Sequence, residues 1–232
     1  RQTLFFSATI NDEIKKLAYS LVTNPIRIQL SPKDPVSKNV SHALAFIEMD
    51  DKRFFLERYI KDFEDLKILV FVRTRVRAER VKSAMERVQV STECMHGDVE
   101  QQERIEILNR FKSNDIRVLI TTDVNARGID IPNVDLVINY DMPDVAENYV
   151  HRIGRTGRGT SKGTAVSFCA KEERDYLEAI ENHTGVKITI IEIDKGEKEA
   201  TILFSDDGKD DWKSLMEQNE LFEKTRKKKK KK

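Results

Sequence analysis

Residues 68–75 read Ile68-Leu69-Val70-Phe71-Val72-Arg73-Thr74-Arg75, and the fold turns on them. Five consecutive apolar residues are short for a helix and lack the alternation of a half-buried strand. They fit a strand covered on both faces, the pattern of a parallel sheet. Working outward, strands and helices alternate. Ala43 to Met49 reads as a strand, followed by a helix with Leu56, Tyr59, Ile60 and Phe63 on one face. After Val72 comes a helix with Val81, Ala84, Met85 and Val88, then a short strand over Thr92 to Met95. A helix carrying Ile105, Leu108 and Phe111 leads to strands at Val118–Thr122 and Leu136–Asn139. Asp144, with Glu147 three residues on, has the form of a helix cap. Thr164 to Cys169 is the next strand, and Tyr176, Leu177 and Ile180 mark the helix after it. Such alternation predicts an α/β fold: a parallel sheet with helices on both faces, three layers deep. Ligands on such sheets sit at the carboxyl ends of the strands. Thr74, Gly97, Thr122-Asp123 and Arg127-Gly128 all fall just after strands.

The chain opens with a second apolar run, Leu4-Phe5-Phe6, ending at Ser7-Ala8-Thr9. It reads as a buried strand, followed by a helix capped by Asn11 with Ile14, Leu17, Ala18 and Leu21 as its stripe. A core strand at the very start suggests a cut through a larger chain. A polar stretch with Pro32 and Pro35 then reads as a linker. Past Asp194 the apolar periodicity fades. Asp206, Asp207, Asp210 and Asp211 surround Gly208, and Trp212, Leu215, Leu221 and Phe222 fit one amphipathic helix. The expected organisation is an N-terminal piece over 1–30, a linker over 31–42, an α/β domain over 43–194, and a partly disordered extension over 195–232.

The 232 residues are 39% hydrophobic and 35% charged, which suits one or two globular units with a full core. No apolar run approaches the roughly 18 residues of a membrane helix, and no signal-peptide pattern is present. A net charge of +1 gives no global pull toward nucleic acid, so any such site must be local. Cys94 and Cys169 are far apart and read as buried small hydrophobes in a reducing compartment. His42, His96 and His183 have no partners at metal-ligand spacing, and one cysteine near His96 does not make a zinc site. No metal site is expected.

Three segments combine the residue types that handle phosphate. His151-Arg152-Ile153-Gly154-Arg155-Thr156-Gly157-Arg158 holds three arginines and two glycines. Arginine grips phosphate bidentately, and glycine permits tight turns; a solvated basic loop is the alternative. Thr121 to Asp130 follows a strand. Thr122 can donate to a phosphate and Asp130 can accept from a ribose hydroxyl, unless both merely satisfy a turn. His96 to Arg104 runs into a helix N-terminus, a natural anion site, with Gln101 and Arg104 on one face; taken alone, an exposed capping turn with an ordinary polar face is the stronger reading. No G-x-x-x-x-G-K-[ST] phosphate loop occurs in the sequence, so Asp50 and Asp51 read as a helix cap rather than metal ligands.

Taken together, Ser7-Ala8-Thr9, residues 68–75, His96-Gly97, Gln101 to Arg104, Thr121 to Asp130 and His151 to Arg158 resemble the DEAD-box RNA helicases in type, order and spacing. The resemblance covers about Arg1 to Ile191. It implies the tail of a first RecA-like domain, a linker, and a whole second RecA-like domain. It further implies that Arg155 and Arg158 reach the γ-phosphate of ATP held with Mg2+ mainly by the missing first domain, Arg158 as arginine finger. Gly128 and Asp130 would bind ATP, Asp130 through the ribose. Thr74, Gly97, Gln101, Arg104 and Thr122 would lie along the RNA backbone, directly or as supports. Ser7, Thr9 and His151 would couple the domains. Partners implied are RNA, read with little sequence specificity, and the N-terminal RecA-like domain, with no membrane. The location implied is cytoplasmic. Arg226 and Lys227 to Lys232 form a possible RNA tether or a solvated end. The alternative function is a RecA-like module that binds RNA or protein without ATP turnover.

Overall fold

The computed structural model describes residues 3–5, 12–22, 24, 26, 28, 39–123, 131, 134–157 and 161–205. Two compact units divide at Pro35/Val36. In the first, helix α1 (Asp12–Leu21) forms as expected, but Leu4 and Phe5 are 67% and 52% exposed and belong to no strand. Leu17 and Leu21 are exposed as well. A run built to be covered on both faces needs neighbouring strands, and among the described residues this unit has none. Ser7, Thr9 and the cap at Asn11 lie outside the described residues.

The second unit is a sheet of seven strands: β1 (Val40–Phe46), β2 (Ile68–Phe71), β3 (Glu93–Met95), β4 (Val118–Thr121), β5 (Leu136–Asn139), β6 (Gly163–Cys169) and β7 (Thr189–Ile191). Their spatial order is β3-β4-β2-β5-β6-β1-β7, and every pairing is parallel. Between them run α2 (Lys52–Asp62), α3 (Arg75–Arg87), α4 (Gln101–Lys112), α5 (Ala146–Ile153) and α6 (Arg174–Thr184), with α7 (Lys195–Phe204) after β7. All four residues of β2 are buried, and its side chains alternate between two cores. Ile68, Val70 and Val72 pack with Phe55, Leu56 and Ile60 of α2 and Val81 and Met85 of α3. Leu69 and Phe71 face the other way, onto Ile107 and Phe111 of α4, Tyr149 and Ile153 of α5 and Ile180 of α6. The result is the expected three-layer α/β/α arrangement.

Several local readings need correction. β1 begins at Val40, three residues before the expected Ala43 and inside the stretch read as linker. α4 buries Ile107 and Phe111 while Ile105 stays exposed, so its inner face lies one step round from the expected stripe. Val145, not Asp144, occupies the N-cap of α5, without a side-chain bond. Asp51 is the N-cap of α2, yet its carboxylate makes no cap bond; it pairs with Lys198 at 2.8 Å. The extension past Asp194 starts with a helix. α7 is capped by the Asp194 carboxylate, which accepts from the Glu197 amide at 2.8 Å. It is held on α2 by polar ties. Arg58 donates to Thr201 Oγ1 and pairs with Glu197, both at 2.9 Å, and the Ser205 hydroxyl donates to buried Glu57. Residues 206–232, with the amphipathic stretch and the lysine tail, lie outside the described residues. No described helix is long and apolar enough to cross a membrane.

Candidate nucleic-acid and nucleotide sites

Strand register places one group of candidates in a single row. Met95 of β3 pairs with Thr121 of β4, Thr121 with Phe71 of β2, and Phe71 with Asn139 of β5. The residues just beyond are therefore neighbours along the carboxyl edge: His96-Gly97, Thr122, Arg73-Thr74 and Tyr140-Asp141. Thr74 is exposed at the N-cap of α3, where its Oγ1 accepts from the Arg77 amide at 3.2 Å. Thr122 is buried. Gly97 is exposed, with no heavy atom within 4 Å of where a Cβ would stand, so a ligand backbone can approach it closely. Gln101 is exposed in the first turn of α4, whose N-cap, Glu100, makes no side-chain cap bond. The amides of that turn point at the same edge with the positive end of the helix dipole. Arg104 does a different job. Its Nε donates to Val99 O at 2.9 Å and its Nη2 to Gly97 O at 2.8 Å, bracing the Gly97 turn from behind.

A buried ion network underlies this edge. Lys52 Nζ donates to Glu173 Oε2 at 2.5 Å and to Tyr140 O at 2.7 Å, with Asp141 at 3.8 Å. Glu173 also accepts from Met142 N, Ala170 N and Arg73 Nη2. Burial pulls the Lys52 ammonium below its ordinary range, against Glu173, which raises it. Four donors on one carboxylate make this a fixed floor rather than a binding pocket.

Residues 151–157 go elsewhere. α5 descends across the sheet from its carboxyl edge. Gly154 caps it, and Arg155 and Thr156 continue the turn through amide bonds to Arg152 O and Ile153 O. Thr156 Oγ1 then donates to Asp135 O at 3.1 Å, just before β5. Gly157 has φ +66°, and a Cβ there would stand 2.7 Å from Val40 Cγ2, at the start of β1. Gly163 N donates to Asn39 O beside it. The turn is thus wedged at the amino ends of β1, β5 and β6, the opposite edge from Gly97 and Thr122. Arg155 is half-buried and donates through Nε to His151 O at 3.3 Å. His151 is half-buried in the last turn of α5. Arg158, Gly128 and Asp130 lie outside the described residues.

One arginine of the three is not aimed at a ligand. Arg152 is 1% exposed and forks onto Asp123, Nε to Oδ1 at 2.6 Å and Nη2 to Oδ2 at 2.7 Å. Its Nη1 donates to Asp141 O at 2.7 Å, and its guanidinium lies over the Phe71 ring at 5.2 Å. Sequence reasoning grouped it with Arg155 and Arg158. The only available signal was Asp123 directly after Thr122. A second arrangement was also missed. Glu79 of α3 accepts from His96 Nε2 at 2.6 Å and from Cys94 Sγ at 3.3 Å. Burial, with Glu79 beside it, pushes the Cys94 thiol up to about 12. Both cysteines are buried and free, as expected.

Comparison with known proteins bears on the family and the fold. Residues 51–160 match the family model described as the helicase conserved C-terminal domain. The ATP-dependent RNA helicase RhlB of Shewanella amazonensis is 35% identical over 195 residues, 84% of this chain and 44% of that protein. The chain thus spans under half the length of such curated relatives. Among solved structures, S. cerevisiae Dbp5 bound to RNA and ADP BeF3 is similar with TM-score 0.72 and 30% identity, over 84% of this chain and 53% of that one. The C-terminal domain of the DEAD-box protein Dbp5 is similar with TM-score 0.63 and 32% identity, over 71% of this chain and 96% of that one. The seven-stranded parallel sheet, the motif order and these matches make the chain a member of the DEAD-box RNA helicase family, carrying its RecA-like C-terminal helicase domain.

Proposed function

We propose that the chain is the C-terminal half of an ATP-dependent RNA helicase that remodels short duplexes, with its two functional surfaces on opposite edges of one sheet. The carboxyl edge, with Gly97, Gln101, Thr122 and the open first turn of α4, takes the RNA backbone. Arg104 supports that surface through the Gly97 carbonyl. Contacts of this kind position a strand without reading its bases. The amino edge presents Arg155 to a nucleotide held by the other RecA-like domain, and Arg158, outside the described residues, is assigned to the same nucleotide as the arginine finger. The donor chemistry fits: a planar cation oriented by its Nε bond to His151 O suits charge spread over a transferring phosphoryl group. ATP with Mg2+ supplies that phosphoryl group when bound; Asp130 is assigned to its ribose and Gly128 to ATP binding. His151, with Ser7 and Thr9, is assigned to interdomain coupling. RNA and the N-terminal RecA-like domain are the partners, in the cytoplasm.

The observation that carries this reading is the Arg152–Asp123 fork. It ties α5, which ends in the arginine turn, to the residue that follows Thr122. One rigid helix therefore links the two edges. The sequence holds no phosphate loop, so the 232-residue chain alone should not turn over ATP. The test uses a polypeptide joining this chain to a domain that carries a phosphate loop. There Arg155→Ala and Arg158→Ala should each lower RNA-stimulated ATPase by about 10³-fold, the scale of an arginine finger, and leave RNA affinity within about twofold. Unchanged turnover would favour the non-catalytic binding module.

A further inference from the structure

We infer that Glu79, Cys94 and His96 form a binding site for a thiophilic divalent cation of the zinc type at the β3 edge of the sheet. Cys94 and His96 are two residues apart on an extended segment, so their side chains share a face. Glu79 comes from the first half of α3, the helix packed beside that strand. One thiol sulfur, one imidazole nitrogen and one carboxylate oxygen all lie within 4.8 Å of one another. Zinc–ligand distances of about 2.0–2.3 Å place tetrahedral donors ~3.5 Å apart. Cys94 Sγ and Glu79 Oε1 already stand at 3.3 Å, while His96 Nε2 and Glu79 Oε1 are closer, at 2.6 Å. For these two pairs the departure from ~3.5 Å is under an ångström, and Glu79, whose side chain is 56% exposed, is able to swing to take it up. The two donors that must hold position, Cys94 and His96, are the buried ones.

The donor set selects the ion. A sulfur and an imidazole prefer Zn2+ or Co2+ to Mg2+ or Ca2+, which take oxygen. Three protein ligands with an exposed side leave a fourth position to water, the form of an open site. Binding releases the Cys94 thiol proton and moves the remaining imidazole proton to Nδ1. The long 3.4 Å contact from the Asp98 amide to Nδ1 is then given up. Without an ion, the same three groups are a hydrogen-bonded trio in which Glu79 accepts from both neighbours, so the geometry serves either state and measurement separates them.

The test is titration of the chelator-stripped 232-residue chain, reduced and untagged, with Co2+ alone near neutral pH, then with Zn2+. The expected result is a thiolate-to-cobalt charge-transfer band that saturates at one equivalent and is bleached by Zn2+. Cys169 packs in the core on the other side of the sheet, so Cys169→Ser should keep the band and Cys94→Ser should abolish it. Glu79→Gln should weaken Co2+ affinity at least tenfold. No charge-transfer band, or a band that survives Cys94→Ser, overturns the proposal. Should Cys94→Ser fail to fold, Glu79→Gln decides alone, because its site is exposed: unchanged affinity there overturns the proposal too.

Discussion

Arg152 and Arg155 stand three residues apart in one segment and do opposite work. Arg152 is buried and spends its guanidinium inside the protein, on Asp123, Asp141 O and the Phe71 face. Removing one partner of a buried pair leaves the other uncompensated. Arg152→Ala should therefore destabilise the second unit by about 3 kcal/mol, discounted because Asp123 keeps some exposure. Urea unfolding checks this, and Arg155→Ala, half-buried at the turn, serves as a control expected to shift the midpoint little. A loss under about 0.5 kcal/mol for Arg152→Ala, the level of an ordinary surface change, would show that the Arg152–Asp123 fork does not hold the fold together. No pattern in the sequence separates these arginines, because type and spacing are the same; only the neighbour each one reaches distinguishes them. The Glu79–Cys94–His96 cluster was hidden for a related reason. Its third donor lies 15 residues before Cys94, on a different element. His42 supplies a pH test. Its Nδ1 is 2.9 Å from Tyr149 Oη, and burial lowers its pKa from 6.5. A lowered folded value means the unfolded chain takes up the proton first, so stability falls as pH drops below 6.5 and recovers as pH rises. His42→Gln should flatten the rise of Tm between about pH 5 and 7. An identical slope in the variant removes His42 from the account.

At the scale of elements, what was legible followed apolar density. β2, β4 and β5 are four-residue runs buried throughout, and each was readable because nothing polar interrupts it. α7 was not readable. It is anchored by Arg58, Glu57 and Asp51 of α2 or its cap, while Leu203 and Phe204 remain exposed. A helix held by polar ties leaves no hydrophobic stripe to find. α2 itself is pinned at its first residue, since Lys52 joins the helix start to the end of β5 and to Glu173 ahead of α6. Lys52→Met strands Glu173 and Asp141 beneath the carboxyl edge. The expected cost is 3–5 kcal/mol, roughly that of breaking a buried pair. The double variant Lys52→Met with Glu173→Gln should recover part of this, which a double-mutant cycle measures directly. Additive losses would mean that the two side chains are not energetically coupled.

For the whole molecule, charge distribution decides how the chain would meet the RNA proposed as its partner. The net charge is only +1, while Arg226 and Lys227 to Lys232 carry seven positive charges. The remainder is therefore net acidic, and among the described residues of its carboxyl edge Arg104 is committed to the Gly97 turn and Arg73 to Glu173. Cations committed in this way add little long-range attraction for a polyanion. The terminal cations are suited to the attraction, because each phosphate neutralised on a single strand steepens the salt dependence by about 0.7. Deleting residues 226–232 should then lower the magnitude of the slope of log K against log salt by roughly 3–5, with affinity converging on that of the intact chain as salt rises. Fluorescence anisotropy with a short single-stranded RNA, titrated at several salt concentrations, reads both quantities. If slope and affinity are unchanged, the tail is a solvated end. Under the proposed function, RNA affinity would then rest on residues before Arg226, and the slope that remains counts the phosphates they neutralise.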